Sequence, residues 1–223
     1  MGKFGTVVTI DGPAASGKSS VSREIARKHG WKWVSTGAFY RGLAFVALKK
    51  NVDLEDTKAL VDLCHSDEWS IELTPEKTEV VFQGVDVTDQ INHEDVGSFA
   101  SRISHHQDVR KALLAAQRNC ALGQKGLVAE GRDCGTVVFP DAPIKVYLTA
   151  KSENRALRRA LEQGADLQEV QSAQKIRDRQ DSSRKAAPLQ VPDNALVIDT
   201  TELDLQGVVQ AVDNHIKNKL QSP

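Results

Sequence analysis

The chain has 223 residues, with 29 Lys and Arg against 30 Asp and Glu and a formal net charge of −1. That length fits one domain with a full core and room for a small insertion, and the charge balance argues against a general nucleic-acid binder, which carries a basic excess. Three scattered cysteines, Cys64, Cys120 and Cys134, form neither a metal pair nor a disulfide framework and point to a reducing, cytoplasmic compartment; no apolar run reaches membrane length and no signal peptide is expected.

Residues 1–6 fit the loose N-myristoylation pattern, but Thr6 begins a strand that leaves Gly2 little free tether, so lipidation is not expected. Residues 6–10, TVVTI, are β-branched and almost wholly apolar, the mark of a strand buried on both faces of a parallel sheet. Gly12, Pro13, Ala14, Ala15, Ser16, Gly17, Lys18, Ser19 and Ser20 follow, fitting G-x-x-x-x-G-K-[ST] ahead of a helix over 18–28. The glycines allow backbone N–H groups to turn inward around phosphate oxygens, and the helix start adds unpaired donors. Lys18 can reach the outer phosphates of a nucleotide and the Ser19 hydroxyl can ligate Mg²⁺.

Residues 31–34 read as a second strand, leading through residues 35–41 into a helix to about 49. Another helix is expected over 53–66, with Leu54, Leu60, Val61 and Leu63 on its apolar side. Residues 69–73 and 79–83 alternate apolar and polar around turn residues 74–77, and 85–88 could add a third short strand, giving an antiparallel insertion over 67–92. Helices follow over 93–104 and 108–122. Residues 127–129 and 144–148 are buried strands. Ser152 is expected to cap an arginine-rich helix closed by Gly164, and 167–184 form a charged helix stopped near Pro188. Residues 195–198 are the last strand and 204–220 the last helix. Five apolar strands separated by helices predict an α/β fold with one parallel sheet.

The arginines carry the second signal. Arg41, Arg110, Arg132, Arg177 and Arg184 fall at the ends of elements, and guanidinium forks suit the gathering of several phosphates. Arg132 lies just past the carboxyl end of a buried strand, where open α/β sheets bind ligands. The six histidines show no ligand spacing and are expected at the surface, and Tyr40 and Phe39 are expected to pack. Asp199 could serve as a Walker-type Mg²⁺ aspartate, although a turn-forming role before Thr200 is favoured.

Residues 10–13 (IDGP), 36–41 (TGAFYR), 130–142 (EGRDCGTVVFPDA), and 177–184 (RDRQDSSR) with 187–189 (APL) together resemble bacterial-type cytidylate kinase, a nucleoside monophosphate kinase family. The resemblance spans nearly the whole chain in order. It implies a five-stranded parallel sheet of the P-loop kinase type within a single kinase domain: core 1–66, 93–151 and 189–223, a monophosphate-binding β insertion at 67–92, and a helical lid at 152–188. It implies transfer of the γ-phosphoryl group of ATP to CMP or dCMP with Mg²⁺, small nucleotides as the partners, no nucleic acid or membrane, and a monomeric state.

Carried onto this sequence, the resemblance gives catalytic roles to Lys18, Arg132 and Arg184. Arg41, Arg132 and Arg184 would hold the acceptor phosphate. Thr36, Arg110 and Asp133 would read the cytosine edge, and Ser101, Arg177 and Asp181 the sugar. An aspartate accepts from the cytosine amino group, whereas uracil offers it a carbonyl oxygen, so selection against UMP has a physical basis. Alternatives for single residues are an Asp133 tied to Arg132 or to a neighbouring backbone group, a Ser101 that is only structural in the middle of its helix, and an exposed Arg177–Asp181 pair four apart on a helix. The chain departs from the family at Ser35, Cys134 and Glu130. Ser35-Thr36-Gly37 is also written by adenylate kinases, which keeps AMP or UMP as alternative acceptors, but their Asp-Gly-Phe-Pro-Arg element is missing. A GTP-binding switch is disfavoured because N-K-x-D is absent and Asp204 opens the one D-x-x-G; a non-catalytic nucleotide-binding module is the remaining alternative.

Overall fold

The structure, a computed structural model, describes residues 5–183 and 187–221. The chain begins with strand β1 (Thr6–Asp11), helix α1 (Lys18–His29), β2 (Lys32–Ser35), α2 (Thr36–Lys49) and α3 (Thr57–Cys64). An antiparallel patch follows, made of β3 (Trp69–Leu73), β4 (Thr78–Phe82) and β5 (Val85–Asp86), and then α4 (Thr88–Ile91), α5 (Glu94–Ile103) and α6 (Gln107–Asn119). β6 (Gly126–Gly131), a π-helical turn at Cys134–Val138, β7 (Ile144–Thr149), α7 (Ser152–Gln163), α8 (Leu167–Ser183), β8 (Leu196–Asp199) and α9 (Leu205–Gln221) complete it.

Five strands form one parallel sheet in the order β2-β6-β1-β7-β8. β1 lies at its centre, so its apolar residues face cores on both sides. Val8 and Ile10 pack with Ile25, Val146, Leu148 and Ile216 beneath α1 and α9. Val7 packs with Leu43, Leu127, Ala129 and Val138 beneath α2 and α6. The order makes β6 and β7 the neighbours of β1, so the loops after these three strands open side by side at the carboxyl edge, where an open α/β sheet binds its ligands.

The three-stranded patch is fastened to β2 rather than free. Trp33 N donates to Thr74 O at 3.2 Å, and the Thr78 hydroxyl accepts from Ser35 N at 2.9 Å while donating to Trp33 O at 3.1 Å. At the other side, α7 and α8 form a hairpin with a small cluster of its own, Ala156, Ala160 and Val170, and polar links elsewhere.

Several boundaries differ from the expectation for local reasons. The helix expected over 53–66 begins at Thr57, because the Asp56 carboxylate caps it by accepting from Ala59 N at 3.0 Å. The third short strand ends at Asp86, whose carboxylate accepts from Thr88 N at 2.9 Å and opens α4 instead. Ser152 is the first helical residue of α7 rather than its cap; its carbonyl and hydroxyl accept from the Gln174 amide. Gly164 does close that helix, with φ 61°. The histidines divide: His65, His93 and His105 are exposed, but His29, His106 and His215 are half-buried, and His29 Nε2 lies 2.8 Å from the fully buried carboxylate of Asp213. Residues 1–4, which carry the lipidation pattern, and Arg184 lie outside the described residues.

Candidate active site

The loop between β1 and α1 is shaped by its glycines. Gly12 has φ 149°, and a Cβ there would lie 2.0 Å from Leu148 O; Gly17 precedes α1 with φ 87°. Four loop carbonyls are held by side-chain donors: Gly12 O by Arg132 (3.1 Å), Pro13 O by Lys18 (2.7 Å), Ala14 O by Arg155 (3.0 Å) and Ser16 O by Thr200 (3.3 Å). A loop whose carbonyls are drawn to the protein presents its N–H groups the other way, the arrangement of an anion nest.

Lys18 is buried, and burial first, then the neighbouring Arg132, pull its ammonium down to about 7 against the opposing charges of Glu130 and Asp11. Glu130, at the end of β6, accepts from the Ser19 hydroxyl at 2.8 Å. Burial pushes the Glu130 carboxyl up despite the Lys18 charge and the bonds from Ser19 and Ser35, and its Oε2 is buried without a protein partner. Ser19 with Glu130 forms a hard oxygen donor pair beside an orphaned carboxylate oxygen, which fits Mg²⁺.

Asp11 ends β1 fully buried and accepts from the backbone N–H groups of Cys134 (2.8 Å) and Gly135 (2.7 Å). Burial outweighs these bonds and raises its carboxyl to about 6. Those two bonds pin the π-helical turn to the central strand, and Asp133 precedes that turn. Thr36, at the start of α2, is buried and donates to Glu130 O at 2.9 Å. It closes on Gly131 so tightly that a Cβ there would lie 2.3 Å from the Thr36 hydroxyl and 2.8 Å from Cys134 Sγ.

A cleft of about 500 Å³ runs from the loop to the α7–α8 hairpin and to α5. Of the expected site residues, Ala14, Ala15, Lys18, Ser19, Thr36, Arg41, Ser101, Arg132, Asp133, Arg177 and Asp181 line it together. Gly12, Pro13, Ser16 and Gly17 belong to the loop and Ser20 to the first turn of α1, and none of the five lines that surface. Arg110 lies apart, lining an adjoining recess of about 230 Å³ with Tyr40 and Asp133. Its guanidinium donates to the Asp133 carboxylate and lies 5.5 Å from the Tyr40 ring centre.

Asp133 is therefore paired with Arg110 and not with Arg132. Arg132 Nε instead donates to Asp181 Oδ2 at 2.7 Å, and Arg177 pairs with Glu94 on α5, so the helical Arg177–Asp181 pair does not form. The Ser101 hydroxyl donates to Gln180 at 2.7 Å. Arg41 donates to Ile91 O at 2.7 Å and His93 O at 3.2 Å; burial and the charges of Arg177 and Arg159 pull it down to about 10. Phe39 is buried in the core beneath α2. Asp199 caps a turn, accepting from Thr201 N at 2.9 Å. Among the described residues, no cluster of three His, Cys, Asp or Glu offers a metal cage and no helix is long and apolar enough to cross a membrane.

Arg159 lines the cleft, Glu94 and Arg155 bond to residues of its lining or loop from behind, and Asp11 bonds to the turn that follows Asp133, although no role follows for them from the sequence. Asp11 had a readable signal, being an acidic residue at the carboxyl end of an apolar strand. Arg155 joins the loop carbonyl of Ala14 to Asp178 on α8, at 2.7 Å to Oδ2, a contact across the fold with no local trace.

Residues 8–218 match the protein-family model for cytidylate kinase. A cytidylate kinase of Bdellovibrio bacteriovorus is 63% identical over 217 residues, spanning 97% of this chain and all of that protein. Cytidylate kinases of Pseudomonas aeruginosa and Azotobacter vinelandii are 41% and 44% identical, over 96% and 94% of each chain. Among solved structures, a gluconokinase from Sinorhizobium meliloti superposes with a TM-score of 0.52 at 15% identity over 98% of both chains, a likeness of fold alone.

Proposed function

The chain belongs to the cytidylate kinase family, and from that premise we propose a residue-level account of how it moves the γ-phosphoryl group of ATP to CMP or dCMP. The observation that carries the account is the single cleft in which Lys18 and Ser19 of the loop face Arg41, Arg132 and Asp133. One end suits a triphosphate and the other suits a second phosphate with a base attached.

Residues 12–20 bind ATP. The acceptor phosphate goes to Arg41 and Arg132, with Arg184 as a further candidate outside the described residues. The Arg110–Asp133 pair with Thr36 reads the cytosine: the carboxylate accepts from the amino group while the guanidinium donates to the ring acceptors. Ser101, Arg177 and Asp181 contact the sugar. Arg132 holds two positions at once, on Gly12 O of the donor loop and on Asp181 of the hairpin, so it sits between the two halves.

The acceptor is a phosphate oxygen whose second pKa is about 6, ionised near neutrality, so the reaction needs no general base. What the protein supplies is in-line placement and a cationic, water-poor surface for a loose transition state. Lys18 and Arg132 provide the charge at the donor loop. Ser19, oriented by Glu130, would hold Mg²⁺, which when bound neutralises phosphate charge. Residues 152–188 serve as a lid that closes over the nucleotides and excludes water, residues 67–92 form the wall of the acceptor site, and the chain acts as a monomer.

Asp133→Ala tests the base reader. It is expected to lower kcat/KM for CMP by about 100-fold or more, because the site loses the acceptor for the amino group and leaves Arg110 unpaired. ATP affinity, measured by calorimetry, stays within about twofold. An unchanged CMP rate would remove Asp133 from the base site.

A further inference from the structure

Glu94 is the first residue of α5, yet its carboxylate reaches two helices far along the chain. Oε2 accepts from Arg159 of α7 at 2.6 Å and from the Gln163 amide at 3.4 Å, and Oε1 accepts from Arg177 of α8. Arg159 and Arg177 line the cleft, whereas Glu94 does not; it stands behind them. Both guanidinium side chains are only 17% and 13% exposed, against 45% for Glu94.

The neighbouring backbone is cut to fit this arrangement. A Cβ on Gly97, one turn along α5, would lie 2.7 Å from an Arg41 guanidinium nitrogen and 3.1 Å from one of Arg177. The missing side chain therefore lets Arg41 and Arg177 converge on the same spot of α5. Three cations meet there, and the charges of Arg177 and Arg159 each disfavour the ionised form of Arg41. Burial would raise the Glu94 carboxyl, but the bond from Arg159 and the charges of Arg177 and Arg159 win and hold it below the usual range.

We propose that Glu94 is a positioning residue for the acceptor nucleotide: its one carboxylate holds Arg159 and Arg177 of the hairpin beside Arg41, so that the acceptor meets a cationic set already assembled. Without it, like charges push the two long side chains apart and their ordering falls on the acceptor's binding energy. The contact also joins the hairpin to α5, beside the Ser101–Gln180 bond, so it orders the hairpin from the acceptor side while Arg155 orders it from the donor loop. The proposal rests on the placement of Arg41 and Arg177 at the acceptor end.

The test is steady-state kinetics of the full chain, with CMP varied at saturating ATP and the reverse. Glu94→Gln keeps the shape but loses the charge and one of the two acceptor oxygens. It is expected to raise KM for CMP about tenfold, with kcat within about threefold and KM for ATP within about twofold. Glu94→Asp, which keeps the charge, is expected to recover part of that loss. An unchanged KM for CMP, an equal rise for CMP and ATP, or identical behaviour of the Gln and Asp variants would overturn the proposal. Should Glu94→Gln not fold, Gly97→Ala displaces Arg177 together with Arg41 while Glu94 stays intact and is expected to show the same CMP-specific rise; no rise would count against the proposal. Arg41→Met runs in parallel. If it too leaves KM for CMP unchanged, the acceptor-site placement fails; if it raises KM and Glu94→Gln does not, only the role of Glu94 falls.

Discussion

Binding of ATP above neutral pH draws a proton from solvent, and Lys18 is the group that takes it. With its ammonium pulled down to about 7 by burial and by Arg132, roughly one Lys18 in eleven is charged at pH 8 before nucleotide arrives. Phosphate oxygens against the ammonium favour the charged form and lift it by about two units or more. ATP binding then takes up roughly 0.8 proton at pH 8, about 0.5 at pH 7 and about 0.1 at pH 6. Protonating Lys18 costs about 1.4 kcal/mol per unit of pH above its own value, so ATP affinity weakens about tenfold per unit above pH 7. Calorimetric titration with ATP in buffers of different ionisation enthalpy reads the proton count directly. The nucleotide phosphates are fully ionised at pH 8, and Asp11, at about 6, is ionised as well; burial also pushes up the carboxyl of the neighbouring Glu130, so Glu130→Gln is measured beside the native chain and is expected to keep the uptake. Lys18→Met should abolish the uptake at pH 8. An uptake below about 0.2 proton in the native chain, or the same uptake in Lys18→Met, would refute the reasoning.

Gly131→Ala places a methyl group 2.3 Å from the Thr36 hydroxyl and 2.8 Å from Cys134 Sγ, both on buried residues; a loss of about 1–3 kcal/mol is expected in urea denaturation, with KM for CMP raised more than KM for ATP. Asp213→Asn removes a fully buried carboxylate that lies 2.8 Å from each of Lys28, His29 and Lys217, for a cost of about 2 kcal/mol at pH 7. Burial alone would raise that carboxyl, but the bonds from Lys217, Lys28 and His29 hold it well below the usual range. Its contribution is therefore fully present above about pH 4, the unfolded value, and drains as pH falls further; a difference from the native chain that stays constant down to pH 3 would contradict this.

Contiguous signals were legible in the sequence. The loop of residues 12–20 announces itself because backbone shape, cation and hydroxyl must be adjacent in the chain to surround one phosphate group. The parallel sheet was legible because strands buried on both faces are apolar throughout, and the antiparallel patch because one face of it is wet. Arg132 and Asp133 could be placed because they follow the end of a buried strand. Pairings across the fold could not be read. Asp181 reaches Arg132 from 49 residues away and Glu130 reaches Ser19 from 111 away, whereas local spacing offered only a pair between Asp181 and Arg177 as the alternative to a sugar contact. One helix start shifted where Asp56 capped the backbone, and one short strand stopped early where Asp86 accepted from Thr88 N, choices made by side-chain oxygens that apolar periodicity does not register. The half-buried His29 was missed for a related reason: its partner Asp213 lies on α9, and a histidine with no nearby ligand spacing reads as surface.

The central claim is that the cleft joins a triphosphate loop to a pocket that selects cytosine. ADP release, followed with ATP and each of CMP, dCMP, UMP, AMP and GMP in turn, tests it most directly. CMP and dCMP are expected to give the strongest turnover, with kcat/KM for UMP lower by about 100-fold or more because Asp133 meets a carbonyl in place of an amino group. Strongest turnover on AMP, or none on any of the five, would contradict the account.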